Sequence, residues 1–241
     1  MKTLGLLGGM SWESTLPYYR VINQTVGREL GGLHSAKILL LSVDFHEIEI
    51  LQREGDWERA GEVLADAARR LETAGADLLV LCTNTMHRVA PAIERAVRIP
   101  LLHIVDTTAD ALEQASLRTV GLLGTRFTME EPSYRERLEA RGLTVLVPEA
   151  TDRETVHRII YEELCRGEIL VHSRSAYEDV MRRLVERGAE GIILGCTEIG
   201  LLVGAENASV PLFDTTEIHA RTAALQAVAS SERSDPSGSS H

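Results

Sequence analysis

DLLVLCTNT, residues 77–85, and EGIILGCTE, residues 190–198, are the two stretches on which the fold turns. In the first, Leu78, Leu79, Val80 and Leu81 follow one another without polar alternation, the pattern of a strand buried on both faces. Such strands belong to parallel sheets covered by helices. The second stretch repeats the first, with Cys196 standing 114 residues after Cys82.

The repeat extends outward from this pair. LGLLGG from Leu4 returns as VGLLGT from Val120, 116 residues later. IPLLHIVDTTADA returns as VPLFDTTEIHA, with Asp106 and Asp214 separated by 108. Adding AKILLLSVD and LTVLVPE gives eight short apolar runs bounded by Gly or Pro, four in each half, with helical stretches between them. This predicts an α/β protein of two pseudo-symmetric lobes, each a parallel four-stranded sheet flanked by helices. The expected boundaries are an N-terminal lobe over 1–104, completed by a C-terminal helix at about 216–230, and a C-terminal lobe over 105–215. WERAGEVLADAARRLETAGAD carries Ala60, Val63, Leu64, Ala67, Ala68 and Leu71 on one helical face and ends at Gly75, which predicts a packing helix. SSERSDPSGSSH, residues 230–241, is polar and aperiodic and is expected to be a disordered tail.

Composition narrows the function. The 241-residue chain is 44% hydrophobic and has no apolar run long enough to span a bilayer, and MKTLGLLGGMSWEST reads as a first strand rather than a cleaved leader. Its net charge of −11, with basic residues scattered along helices, argues against nucleic acid as a partner. The three cysteines, Cys82, Cys165 and Cys196, fit neither a disulfide framework nor a CxxC metal site, and a reduced cytoplasmic setting is expected.

In open parallel sheets, ligands collect at the carboxyl ends of strands. The turns at Gly8-Gly9-Met10, Cys82-Thr83, Gly124-Thr125 and Cys196-Thr197 are therefore expected to line a cleft between the lobes. A thiol at a strand end that runs into a helix N-terminus is expected to have a lowered pKa, which suits Cys196. A buried free cysteine is also an ordinary small core residue, and the residues alone leave Cys196 open between the two. Cys165 lies in a helical stretch and reads as structural. His87, His103 and His219 could each orient a thiol or simply bond locally. HEIE at His46 lacks metalloprotease spacing, and no other cluster has metal-ligand spacing, so no metal is expected. GLLGGM is neither a dinucleotide fingerprint nor a P-loop. Pyridoxal phosphate needs a Schiff-base lysine, and the chain has only Lys2 and Lys37, each at the start of a predicted strand. A reaction without any cofactor is expected.

GLLGGMSWEST, CTNTMH and GCTEIG together make the chain resemble the aspartate/glutamate racemase superfamily over about residues 2–225. The resemblance implies a homodimer acting on an acidic amino acid, glutamate or aspartate, with two acid/base groups flanking the α-carbon. Aligning the family's Cys-Asn-Thr-x-His stretch on Asn84-Thr85-Met86-His87 puts Thr83 at the catalytic position, with Cys82 before it as a supporting residue. The second catalytic group is then Cys196. By position, Met10, Gln52, Thr83, Asn84, Thr85, Thr197 and Glu198 would hold the substrate, with Thr125 as a supporting residue. Met10 could equally be core and Gln52 a solvated loop residue, whereas for Asn84 and Thr85 a helix cap is the lesser alternative to substrate binding. Strict aspartate racemases carry a lysine for the side-chain carboxylate near Cys165; Arg53, Arg126 and Arg166 are the available replacements. Two other readings compete. One is a maleate-type isomerase or decarboxylase using Cys196 as nucleophile, and the other is a protein that binds acidic amino acids without turning them over.

Overall fold

A computed structural model of the protein describes residues 1–229, so the expected tail at 230–241 lies outside the described residues. The described residues hold two parallel four-stranded sheets, one in each of two compact units. The first unit comprises Met1–Cys82, Val89–Leu102 and the chain from His219. The second comprises Thr83–Arg88 and His103–Ile218.

The first unit is built on β1 (Thr3–Gly8), β2 (Lys37–Ser42), β3 (Leu78–Leu81) and β4 (Leu101–Leu102), in the spatial order β2-β1-β3-β4. Leu4 is the register partner of both Ile38 and Leu78, so β1 is central. Leu4, Leu6, Leu78 and Val80 are buried with Tyr18, Ile22, Ala220, Ala223 and Ala224 in one core. The edge strand β2 departs from the expectation that every apolar run is covered on both faces: Leu40 is 48% exposed. Runs at a sheet edge lack a neighbour on one side, and composition alone does not show which run that is.

The helix Trp57–Thr73 follows the predicted face. Asp56 caps it by accepting the Arg59 N–H, and Ala60, Leu64, Ala67, Ala68 and Leu71 are buried, while Val63 is only half-buried. Burying one such leucine stabilises the fold by about 2 kcal/mol. Gly75 just beyond it has φ 99°, a left-handed value that only glycine adopts readily. His219, a candidate for orienting a thiol, instead ties this unit together. Its Nε2–H donates to the Leu102 carbonyl (2.9 Å) and its Nδ1 accepts from the Tyr18 hydroxyl (2.9 Å).

The second unit repeats the plan with β5 (Thr119–Gly124), β6 (Thr144–Leu146), β7 (Gly191–Gly195) and β8 (Leu212–Asp214), ordered β6-β5-β7-β8. Every residue of β7 is buried, as its unbroken apolar run predicts. In both sheets the strand order reverses between the first strand and the third, and the carboxyl ends of that pair form the topological switch point. Gly9-Met10 and Cys82 follow β1 and β3 in the first unit; Thr125 and Cys196 follow β5 and β7 in the second. Among the described residues, no helix is long and apolar enough to cross a membrane.

The run IPLLHIVD contributes less strand than expected, because β4 ends after Leu102 and a helix, Ile104–Gln114, begins at once. His103 causes the early switch. Its ring nitrogen accepts the Val105 N–H at 3.3 Å, which caps the helix.

Candidate active site

The neighbours Cys82 and Thr83 part company at the end of β3. Cys82 is fully buried in the core of the first unit, its thiol directed at the Val80 carbonyl at 3.6 Å. Thr83 opens the segment that belongs to the second unit, and its carbonyl accepts from Nδ1 of His87 at 2.7 Å. His87 Nε2 accepts the Ile104 N–H at 3.2 Å, so the ring carries its proton on Nδ1. His87 thus closes the Thr83–His87 turn through the backbone and is not directed at a thiol by either of these bonds.

Burial pushes the Cys82 thiol well above its ordinary pKa. The folded state therefore holds this proton more tightly than the unfolded chain. The stability this contributes is fully present below the unfolded thiol value near 8.5 and is lost as pH rises above it, at about 1.4 kcal/mol per pH unit. Cys82→Ala should flatten this alkaline loss in urea titrations at rising pH, cost about 1 kcal/mol at neutral pH for the vacated volume, and keep most of the turnover. Turnover falling as far in Cys82→Ala as in a Cys196 variant would place Cys82 at the reaction.

Asn84 is 3% exposed and its side chain is held at both ends. Its Oδ1 accepts from the Tyr134 hydroxyl (3.0 Å) and its Nδ2 donates to Thr215 Oγ1 (2.9 Å). Thr85, half-buried, shares its hydroxyl with Thr125 (3.0 Å) and Thr128 (3.3 Å), and those two lie 3.2 Å apart. Thr125 also caps the short helix Arg126–Glu130 by accepting the Thr128 N–H. In place of the alternative cap roles of Asn84 and Thr85 the structure has tertiary bonds, because a 3-10 turn, Thr85–Val89, separates β3 from the next α-helix, Ala90–Ala96.

At the end of β7 the chain is held tightly. A side chain at Gly195 would meet Leu122 Cδ1 and the Leu123 carbonyl oxygen, each at 2.8 Å, so only glycine fits directly before Cys196. Cys196 is 6% exposed. Its thiol donates to Glu198 Oε2 at 3.0 Å, and the Thr197 hydroxyl donates to the same oxygen at 2.8 Å. The other oxygen, Oε1, accepts from the thiol of Cys165 at 3.8 Å. The helical spacing around Cys165 marks it as structural; the structure places it, half-buried, against the carboxylate that accepts from Cys196.

These surroundings reverse the expected direction of the Cys196 pKa. Burial, then the charge of Glu198, then Cys165, push the thiol well above its ordinary value, and the Glu198 backbone N–H opposes them only partly. The helix that follows, Ile199–Leu202, is a single turn and supplies little of the positive end that a longer helix would. Tyr177, buried nearby, is pushed up by the same burial and donates its hydroxyl to the Val156 carbonyl. The resting site holds a protonated thiol aimed at a carboxylate.

Of the remaining candidates, Met10 (4% exposed) and Gln52 (3% exposed) both lie in the first unit. Met10 follows Gly9, whose φ of 93° and close approach to the Val43 backbone exclude a side chain. Gln52 is buried within the helix Phe45–Glu54 rather than in a solvated loop. Arg53, Arg126 and Arg166 are exposed, and Arg53 pairs with Glu49 at 2.9 Å. Lys2 precedes β1 and Lys37 begins β2, the amino-terminal ends of those strands. Among the described residues, no group of three or more His, Cys, Asp or Glu is arranged to hold a metal ion.

Known proteins share this sequence pattern and fold. The pattern of the Asp/Glu/hydantoin racemase family matches residues 7–223. The crystal structure of a candidate Asp/Glu racemase from Yersinia pestis is 60% identical, with a TM-score of 0.88 over 95% of this chain and 100% of its own. That of an aspartate racemase homologue from Pyrococcus horikoshii OT3 is 35% identical, with a TM-score of 0.81 over 94% of this chain and 99% of its own. The broad specificity amino-acid racemase of Bacillus subtilis is 22% identical over 227 residues, 91% of this chain and 95% of its own. The chain belongs to the Asp/Glu/hydantoin racemase family, and it is an isomerase of the amino-acid racemase class.

Proposed function

We propose that this racemase interconverts the enantiomers of acidic amino acids, glutamate and aspartate, without a cofactor, and that it does so with an unequal pair of groups, Cys196 and Thr83. The observation that carries this reading is the Cys196 thiol at the end of β7 with Glu198 Oε2 only 3.0 Å away. That carboxylate is within reach of the thiol proton, the geometry a general base needs.

In this reading Cys196 removes the α-proton from the L-enantiomer. The thiol is protonated at rest, so Glu198 must first take its proton or have its field offset. The proposed step is the former, with Glu198 Oε2 taking the proton across the 3.0 Å contact and a substrate α-ammonium beside the thiolate then stabilising its charge. Backbone N–H groups of the turns at Asn84-Thr85 and Thr197-Glu198 are the proposed donors to the substrate carboxylates. Met10, Gln52, Thr125 and Cys82 keep the binding and supporting roles expected from the sequence.

Thr83 serves the opposite face. A hydroxyl is a poor base, but it can deliver a proton to the carbanion directly or through a water. The equilibrium constant between enantiomers is one, so kcat/KM must be equal in the two directions whatever the asymmetry of the groups. The asymmetry instead shows in the partitioning of the carbanion. Thr83→Cys is expected to raise α-proton exchange from D-glutamate, and unchanged D-side exchange in that variant would remove Thr83 from the site.

The direct test of the function is chiral chromatography of L- and D-glutamate and L- and D-aspartate incubated with enzyme treated to remove any carbonyl cofactor. Inversion of at least one pair is expected. No inversion of any of the four, with inversion of neutral or basic amino acids instead, would overturn the substrate class. The family resemblance also supports a homodimer, for which light scattering should give twice the chain mass.

A further inference from the structure

We infer that Tyr134 and Thr215 are positioning residues that act through the Asn84 side-chain amide to fix the Thr83–Thr85 turn against the end of β7, two residues before Cys196. Neither residue belongs to the substrate-binding set described above, and the inference rests on Thr83 and Cys196 being the reacting pair.

Three hydrogen bonds run in one direction. The Tyr134 hydroxyl donates to Asn84 Oδ1 (3.0 Å), Asn84 Nδ2 donates to Thr215 Oγ1 (2.9 Å), and the Thr215 hydroxyl donates to the Leu194 carbonyl (2.8 Å). A threonine hydroxyl has a single proton. With that proton committed to Leu194, Thr215 can only accept from Asn84, which fixes which end of the amide is nitrogen. Oδ1 is thereby turned to Tyr134. Each group donates onward while accepting from the one before, an arrangement in which successive bonds polarise and strengthen one another.

The members are buried: Asn84 is 3% exposed, Tyr134 6% and Thr215 0%. Burial pushes the Tyr134 hydroxyl well above its ordinary pKa, so it stays a donor throughout the working range. The chain joins three separate pieces of the second unit: the helix Pro132–Glu139, the segment from Thr83, and the start of the helix Thr215–Val228. Leu194 is the register partner of Asp214 in β8 and of Leu123 in β5, so its carbonyl is a rigid anchor. What the chain fixes is the position of the Thr83 turn relative to Cys196. A loosened turn should leave abstraction by Cys196 intact and slow redelivery on the other face.

That prediction separates positioning from mere support of the fold. In D₂O, an L-substrate carbanion that waits longer for Thr83 has more time to return to L with a deuteron, so the ratio of exchange to inversion rises. For Tyr134→Phe and Thr215→Val, kcat should fall about tenfold, with KM changed less and the exchange-to-inversion ratio from L-glutamate raised severalfold. Thr215→Ser, which keeps the hydroxyl, should restore both. Circular dichroism and the melting temperature establish that each variant is folded. A fall in kcat with an unchanged ratio, or no recovery in Thr215→Ser, would overturn the positioning role. Absence of exchange and inversion in the parent enzyme would instead contradict the proposed reaction, independently of these variants.

Discussion

Cys196→Ala is expected to lose about 10³-fold or more of kcat in both directions, with the fold and substrate affinity largely kept. An alanine at this position vacates little volume and leaves Gly195 seated against Leu122 and Leu123. It removes the only group in the proposed pair that can become a competent base, since Thr83 has a hydroxyl. The kcat/KM values of both directions must fall together because the two enantiomers are equally stable. α-Proton exchange from L-glutamate should fall at least as far as inversion. A variant that retains a tenth of parental turnover would show that Cys196 is a packing residue, the ordinary fate of a buried cysteine.

Glu198→Gln is expected to have the second-largest effect, lowering kcat about 10²-fold. The substitution keeps size and an acceptor oxygen for Thr197 but removes the charge. Two consequences then oppose each other. The Cys196 thiol, raised first by burial and then by Glu198 and Cys165, moves down toward its ordinary value, so the alkaline rise of kcat/KM shifts to lower pH. At the same time the carboxylate that takes the thiol proton is gone. If Glu198 is the proton acceptor, activity falls at every pH despite the easier ionisation. If its charge only holds the thiol protonated, Glu198→Gln becomes faster at neutral pH, and the proposed role of Glu198 is wrong.

The strand plan was legible in the sequence because parallel strands covered on both faces are written as unbroken apolar runs. GIILG is buried at every position, and the LGLLG of β1 and the VGLLG of β5 likewise. Edge placement was not legible, since KILLLS in β2 has the same composition as a central strand yet exposes Leu40. Nor was the early end of β4, which depends on one ring nitrogen of His103 meeting the Val105 N–H.

The site was legible as a set of turns and illegible as a set of contacts. Cys82 and Thr83 could be separated by the alternation of side chains along a strand, and the core position of Cys82 agrees with that. Glu198 was visible beside Cys196, but its bond to Cys165 joins residues 33 apart, and no local pattern marks such a pair. Tyr134 lies 50 residues from Asn84 and stands in no motif, and Thr215, 131 residues away, stands in the repeated VPLFDTTEIHA, where nothing marks Asn84 as its partner. The direction of the Cys196 pKa was not legible, because a strand end followed by a helix implies a positive field, whereas this helix is one turn long and a carboxylate is nearer.

The unequal pair is tested most directly by proton NMR of L- and D-glutamate and L- and D-aspartate in D₂O with the purified enzyme and no added cofactor. Loss of the α-proton signal is followed beside chiral analysis of the same samples. For the L-substrate, exchange should outrun inversion, because Cys196 forms the carbanion faster than Thr83 quenches it from the other face. For the D-substrate, exchange and inversion should keep pace, since once Thr83 has acted Cys196 redelivers promptly. Equal partitioning from both enantiomers would contradict the asymmetry, and no exchange from any of the four would contradict α-proton abstraction from these substrates altogether.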